Sequence, residues 1–248
     1  MRTKIREMLA KGLEAITPLR IRKYFESQGS LKFQRSVQFD FLNMSYSQEG
    51  EDLILKRYFE KKQGKLFWVD VGAHHPFRFS NTYVFYKIGG KGINIDATPG
   101  SMKLFSEYRS KDINLEVGIS DKIGQLEFYV FKERALNSFD KALSAQRIKE
   151  GRELEKVVVL QTKPLSIILN EFIPSHQEID LLSIDAEGFD LKVLLSNNWS
   201  KYRPQIVLVE NENWTKTGDK ISDFLETKGY FFFAKTVKSV LFVKNGDK

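Results

Sequence analysis

Residues Phe67–Pro76 read FWVDVGAHHP. Phe67, Trp68, Val69 and Val71 are strand formers, and the run breaks at Gly72 into a small residue, Ala73, and two histidines. Strands buried on both faces read as near-continuous apolar runs, and ligands of open α/β sheets collect beyond the carboxyl ends of such strands. Asp70 stands at the end of this run, and a second run, GINID, ends in Asp96. That interval suits an acidic residue that accepts hydrogen bonds from the two hydroxyls of a ribose. The two strand ends together predict a nucleoside-binding crevice.

The glycines narrow the ligand. A dinucleotide fingerprint needs G-x-G-x-x-G, because its backbone must approach a pyrophosphate closely. Here Gly72 is followed by His74 and His75 where further glycines would stand, and no G-x-x-x-x-G-K-[ST] cradle occurs in the chain. A nucleoside ligand without a pyrophosphate fits this loop, and S-adenosylmethionine is the candidate.

Elsewhere, apolar runs alternate with helical spacing. Strands are expected at 66–71, 92–96, 113–117, 126–131, 179–185 and 204–212, with another ahead of the helix in VVVLQTKPLSIILNEF. Further helices are expected after Ser47, after Pro99, in EGFDLKVLLSN and over 216–228, and YFFFAK and SVLFVK close the chain as a hairpin. This order predicts an α/β domain with a mostly parallel doubly wound sheet and an antiparallel C-terminal hairpin at one edge. The domain is expected over residues 45–248, behind a basic helical N-terminal extension over 1–44. The polar segment 132–156 is expected as an exposed acceptor-side lobe or loop.

The chain has 248 residues, a net charge of +7 and no cysteine, which excludes disulfides, thiolate metal sites and a thiol nucleophile. That composition is compatible with a reducing cytoplasm. No apolar run approaches the roughly 18 residues of a membrane span, and the first residues are too often interrupted by charge for a secretory signal core. Much of the positive excess lies before residue 36, where Ile5, Met8, Leu9, Leu13 and Ile16 recur at helical spacing. Such a basic amphipathic helix suits packing on the domain, a homodimer contact, or peripheral attachment to a membrane surface. No nucleic-acid-binding signature or repeat accompanies it, so no nucleic-acid partner is expected. An anionic small-molecule or glycan acceptor fits the charge.

Four carboxylates end apolar runs: Asp70, Asp96, Asp185 and Glu210. A carboxylate in that position requires a cation or hydrogen-bond donors, because burying a bare charge is costly. Asp185 opens the cluster D-A-E-G-F-D, and Glu210 is followed by Asn211. Asp185, Glu210 and Asn211 are oxygen ligands of the kind that suit Mg²⁺ or Mn²⁺, which would lower the pKa of an acceptor hydroxyl. Asp185 and His75 are the candidate catalytic residues, His75 as a general base. His74 is expected to line the cofactor pocket, and His176 to lie on the surface.

The blocks SQEGEDLIL, FWVDVGAHHPFRFSNTY, GINIDATPGS, INLEVGISD, IDLLSIDAEGFDL and YRPQIVLVE resemble those of FkbM-type methyltransferases, over roughly residues 45–245. The resemblance implies a class I Rossmann-like fold, S-adenosylmethionine as cofactor, and O-methylation of sugars or polyketide-derived hydroxyls. It implies that Asp70, Gly72 and Ala73 lie by the methionine part of the cofactor, Asp96 and Ala97 by the ribose, and Ser120 and Asp121 by the adenine. Asp185 would face the methyl group. Members usually carry Asn where this chain has His74. A more distant likeness, to catechol-type O-methyltransferases, implies the metal at Asp185, Glu210 and Asn211, although their acidic pair is Asp-Asn and here it is Glu210-Asn211. The expected reaction is methylation of a sugar hydroxyl, of a surface polysaccharide or its nucleotide-activated precursor. The alternatives are methylation of a nitrogen or phosphoryl group, and a non-catalytic nucleotide-binding module.

Overall fold

A computed structural model describes residues 42–62, 64–211, 214–215 and 218–246, and the chain divides into two units, Met1–Met44 and Ser45–Lys248. The basic helix expected in the first unit lies outside the described residues. In the second unit the elements run α1 (Glu51–Tyr58), β1 (Phe67–Val71), α2 (Tyr83–Lys87), β2 (Lys91–Asp96), α3 (Met102–Tyr108) and β3 (Ile113–Glu116). Then come β4 (Gly118–Ile119), β5 (Gly124–Phe131), α4 (Lys141–Lys149), β6 (Leu154–Lys163), α5 (Leu165–Phe172) and β7 (Leu181–Ile184). The last are α6 (Asp190–Leu195), β8 (Ile206–Glu210), α7 (Lys220–Thr227), β9 (Tyr230–Lys235) and β10 (Ser239–Lys244). Among the described residues no helix is long and apolar enough to cross a membrane.

The main sheet has seven strands in the order β3-β2-β1-β7-β8-β10-β9. The first five are parallel, and β10 runs antiparallel to both β8 and β9. This is the mostly parallel α/β sheet with a closing hairpin. All five residues of β1 are buried because both faces of the sheet are covered. Phe67, Val69 and Val71 join one core with Ile93, Leu182 and Val207, while Trp68 joins the other with Leu55, Phe85 and Leu181. The strand order turns at β1, which sits between β2 and β7, so the carboxyl ends of β2, β1, β7 and β8 open one crevice at the switch point.

Two features depart from the sequence pattern. β6 pairs with both β4 and β5 in a separate three-stranded sheet. Residues 132–156 are not an irregular loop: they hold α4 and the start of β6. Asp140 caps α4 by accepting from Leu143 N at 2.9 Å. The lobe is fastened to the main sheet's loops, because Asn137 donates to Thr98 Oγ1 at 2.9 Å and Ser138 to the Glu187 carbonyl at 2.6 Å.

Candidate active site

The crevice lies beyond the carboxyl ends of the strands and is open at its mouth. Its floor is the turn after β1. Gly72 has φ 82°, and a Cβ there would collide with the carbonyl oxygen of Asp185. Only glycine lets the ends of β1 and β7 approach so closely. The amides of Gly72 and Ala73 both bond the Ile95 carbonyl, which carries the turn over β2.

Asp96 stands at the end of β2 and lines the crevice. Its Oδ2 accepts from His74 N at 2.9 Å and its Oδ1 from Thr98 N at 2.7 Å. Each oxygen keeps a lone pair, so the fixed carboxylate can still accept two hydroxyl protons. Beyond it, toward β3, lies an apolar slot of Ile95, Val117, Ile119, Phe128 and Phe139. A diol acceptor beside a flat apolar slot fits an adenosine, and that is the test S-adenosylmethionine must pass at this site.

Toward β8 the crevice wall turns acidic. Asp185, Glu187 and Glu210 each bring a carboxylate oxygen within 4.8 Å of the others. Asp185 Oδ1 is enclosed and has no hydrogen-bond partner. Burial raises the Asp185 pKa well above the ordinary carboxylate range, and the charges of Glu210, Glu187 and Asp190 raise it further. Glu210 acts on Asp185 from the end of β8, the neighbouring strand. Glu187 is pushed up to about 7, by burial first and then by Glu210, against the opposing pull of Arg147, its ion-pair partner on α4. Its backbone takes the left-handed φ of 49°, held by the bond from Ser138. Asp190, pushed by burial up to about 6, ties the turn together by accepting from Ala186 N and Gly188 N.

The sequence-predicted residues fall into two groups. Asp70, Gly72, Ala73, His74, Asp96, Ala97 and Asp185 line the crevice, and Glu210 meets Asp185 from the neighbouring strand. Asp70 is nonetheless turned partly inward. Its Oδ2 accepts from Thr82 Oγ1 at 3.0 Å, and burial raises its pKa against the charge of Arg109. His74 has an enclosed Nε2 without a partner, and burial lowers its pKa, so the ring is neutral near pH 7.

His75 is not brought to the crevice wall. Its Nδ1 accepts from Phe77 N and Arg78 N, both at 3.1 Å, which leaves the proton on Nε2 and makes the ring a cap for its own turn. Burial, then the charge of Arg78, lowers its pKa. Ser120 and Asp121 also stand away from the crevice: Val117 and Ile119 face the slot, and Ser120 Oγ donates to the exposed Asp121 at 3.0 Å. Asn211 does not line the crevice, and its Nδ2 is enclosed without a partner. His176 is exposed. Glu187, the acidic residue of the D-A-E-G-F-D cluster after Asp185, lines the crevice, and so do Asn81, Ser183 and Gln48, which no spacing or motif singles out.

The model of the methyltransferase FkbM domain matches residues 70–232, more than half of the chain. No curated protein matches the sequence. Among solved structures, a candidate RNA methyltransferase from Pyrococcus horikoshii is similar at 11% identity and a TM-score of 0.41. The similarity covers 78% of this chain and 81% of that one, a likeness too remote to bear on the site. The family match spans the glycine turn, Asp96 and the acidic wall alike: the chain belongs to the FkbM methyltransferases, a family that uses S-adenosylmethionine.

Proposed function

We propose that the enzyme methylates a hydroxyl of a small polar acceptor, such as a sugar of a surface polysaccharide or its nucleotide-activated precursor, with Asp185 as the base. The observation that carries this reading is the gathering of Asp185, which lines the crevice, with Glu187 and Glu210, a carboxylate oxygen of each within 4.8 Å of the others. S-adenosylmethionine supplies an electrophilic methyl group on a sulfonium. Gly72 lets the β1 turn close on the end of β7 beneath it, and Asp96 would accept from its ribose hydroxyls. Asp185 would then orient the acceptor oxygen and take its proton as that oxygen bonds the methyl carbon and the carbon–sulfur bond breaks, with S-adenosylhomocysteine leaving. A carboxyl whose pKa is raised above the ordinary range is a better base than an ordinary one. His75 cannot share this work, because its free ring nitrogen carries a proton. A nitrogen acceptor would meet the same wall as an ammonium and could be deprotonated there in the same way.

The same cluster favours a second reading, in which Asp185, Glu187 and Glu210 hold Mg²⁺ or Mn²⁺ with Asn211 behind them. Three carboxylates gathered with too few cations are the donor set of a hard metal. Such an ion would relieve their mutual repulsion and lower the pKa of the acceptor hydroxyl.

One assay tests both: transfer of labelled methyl to a panel of sugars, nucleotide sugars and amines, with and without exhaustive chelation. Full turnover of a hydroxyl acceptor in chelator supports Asp185 as the base and excludes the metal. Turnover lost in chelator and restored by Mg²⁺ or Mn²⁺ supports the metal. Methylation confined to amines overturns the hydroxyl reading.

A further inference from the structure

Ser80, Asn81 and Thr82 form a triplet whose outer members are buried and whose middle member faces the crevice. Arg109, at the end of α3, is fully buried and fixes the outer two: its Nη1 donates to Thr82 Oγ1 at 3.0 Å and to Ser80 Oγ at 3.4 Å. Thr82 passes its own proton to Asp70, and Ser80 N bonds the Tyr46 carbonyl at 2.9 Å. With both neighbours anchored in the core, Asn81 is held over the ends of β1 and β7.

The polarity of its amide is dictated from below. Ser183 is the register partner of Asp70. Its hydroxyl oxygen accepts from Asn81 Nδ2 at 3.2 Å. The amide must turn its Oδ1 the other way, and among the described residues nothing donates to that oxygen. The strand order places this acceptor over β1 and β7, on the opposite side of Asp96 from the apolar slot over β2 and β3. A ligand whose adenine fills the slot and whose ribose meets Asp96 carries its amino-acid end to this point.

We propose that Asn81 Oδ1 accepts a hydrogen bond from the α-ammonium of the cofactor's methionine moiety, and that this contact selects ligands bearing that group. The proposal rests on the cofactor reading above. Ser183 acts through Asn81 by fixing which end of its amide faces the ligand. A hydrogen bond to a charged donor is roughly twice as strong as a neutral one.

The test is calorimetric titration with two ligands: S-adenosylhomocysteine, and 5′-(3-carboxypropyl)thioadenosine, which lacks only the ammonium. In Asn81→Ala and Asn81→Leu, affinity for S-adenosylhomocysteine should fall about tenfold or more. Affinity for the analogue should stay within about twofold, which also shows that the variant crevice is intact. Equal losses for both ligands, or no loss for S-adenosylhomocysteine, would overturn the assignment while leaving the cofactor reading in place. Wild-type protein that binds neither ligand would overturn both.

Discussion

Asp185→Asn is expected to lower turnover by about 10²–10⁴-fold, the usual contribution of a positioned base, while S-adenosylhomocysteine affinity stays within a few-fold. The same substitution should stabilise the fold at neutral pH. Asp185 is a carboxyl whose folded pKa is raised, so the folded protein holds its proton to higher pH than the unfolded chain does. Stability tied to it is present at low pH and lost as pH rises from the ordinary carboxylate range through the raised folded value. Glu187 behaves alike, its contribution falling between the ordinary carboxylate value of 4.5 and about 7. An asparagine cannot ionise and removes one charge from the cluster. Denaturant midpoints measured from pH 5 to pH 8.5 should therefore fall less steeply in Asp185→Asn than in wild type. Its residual activity should lack the wild-type rise with pH. An active variant would remove Asp185 from the chemistry, and an unchanged pH slope would remove it from the repulsive cluster.

Arg109→Met is expected to destabilise the fold by about 3–5 kcal/mol, because it strands a buried carboxylate. Arg109 and Asp112 are both inaccessible, and Nε meets Asp112 Oδ2 at 2.8 Å. The guanidinium also lies 5.1 Å from the Trp68 ring centroid and 5.2 Å from that of Tyr86. Asp112 in turn accepts from Gly92 N and Asn94 Nδ2, which ties α3 to β2. Adding Asp112→Asn should recover part of the loss, since the amide needs no counter-charge. Urea denaturation of the single and double variants measures this. A single variant within about 0.5 kcal/mol of wild type would mean the pair carries no structural weight.

The sheet and the ribose site were legible because each depends on local pattern. β1 and β2 announce themselves as apolar runs, and their carboxyl ends share a crevice because parallel strands all end on one side. The misplacement of Ser120 and Asp121 was avoidable in principle. Side chains alternate along an extended chain, so Val117 and Ile119 facing the slot put Ser120 on the other side. The rest was illegible for physical reasons. Which ring nitrogen of His75 is occupied depends on the path of its own turn. Asn81 owes its place to Arg109, a residue on another helix, and no spacing in the sequence links them. The acidic wall gained Glu187 through a left-handed turn that the lobe stabilises, and lobe 132–156 read as polar surface because its contacts are made by single residues.

The central claim is that the crevice at the ends of β2, β1 and β7 binds S-adenosylmethionine with Asp96 on the ribose. Calorimetric titration of S-adenosylhomocysteine into wild type and Asp96→Ala tests it most directly. The account predicts saturable binding to wild type and a loss of roughly 1.5–3 kcal/mol or more in the variant, from charge-assisted hydrogen bonds to the diol. No binding to wild type, or equal affinity in a folded Asp96→Ala, would contradict it.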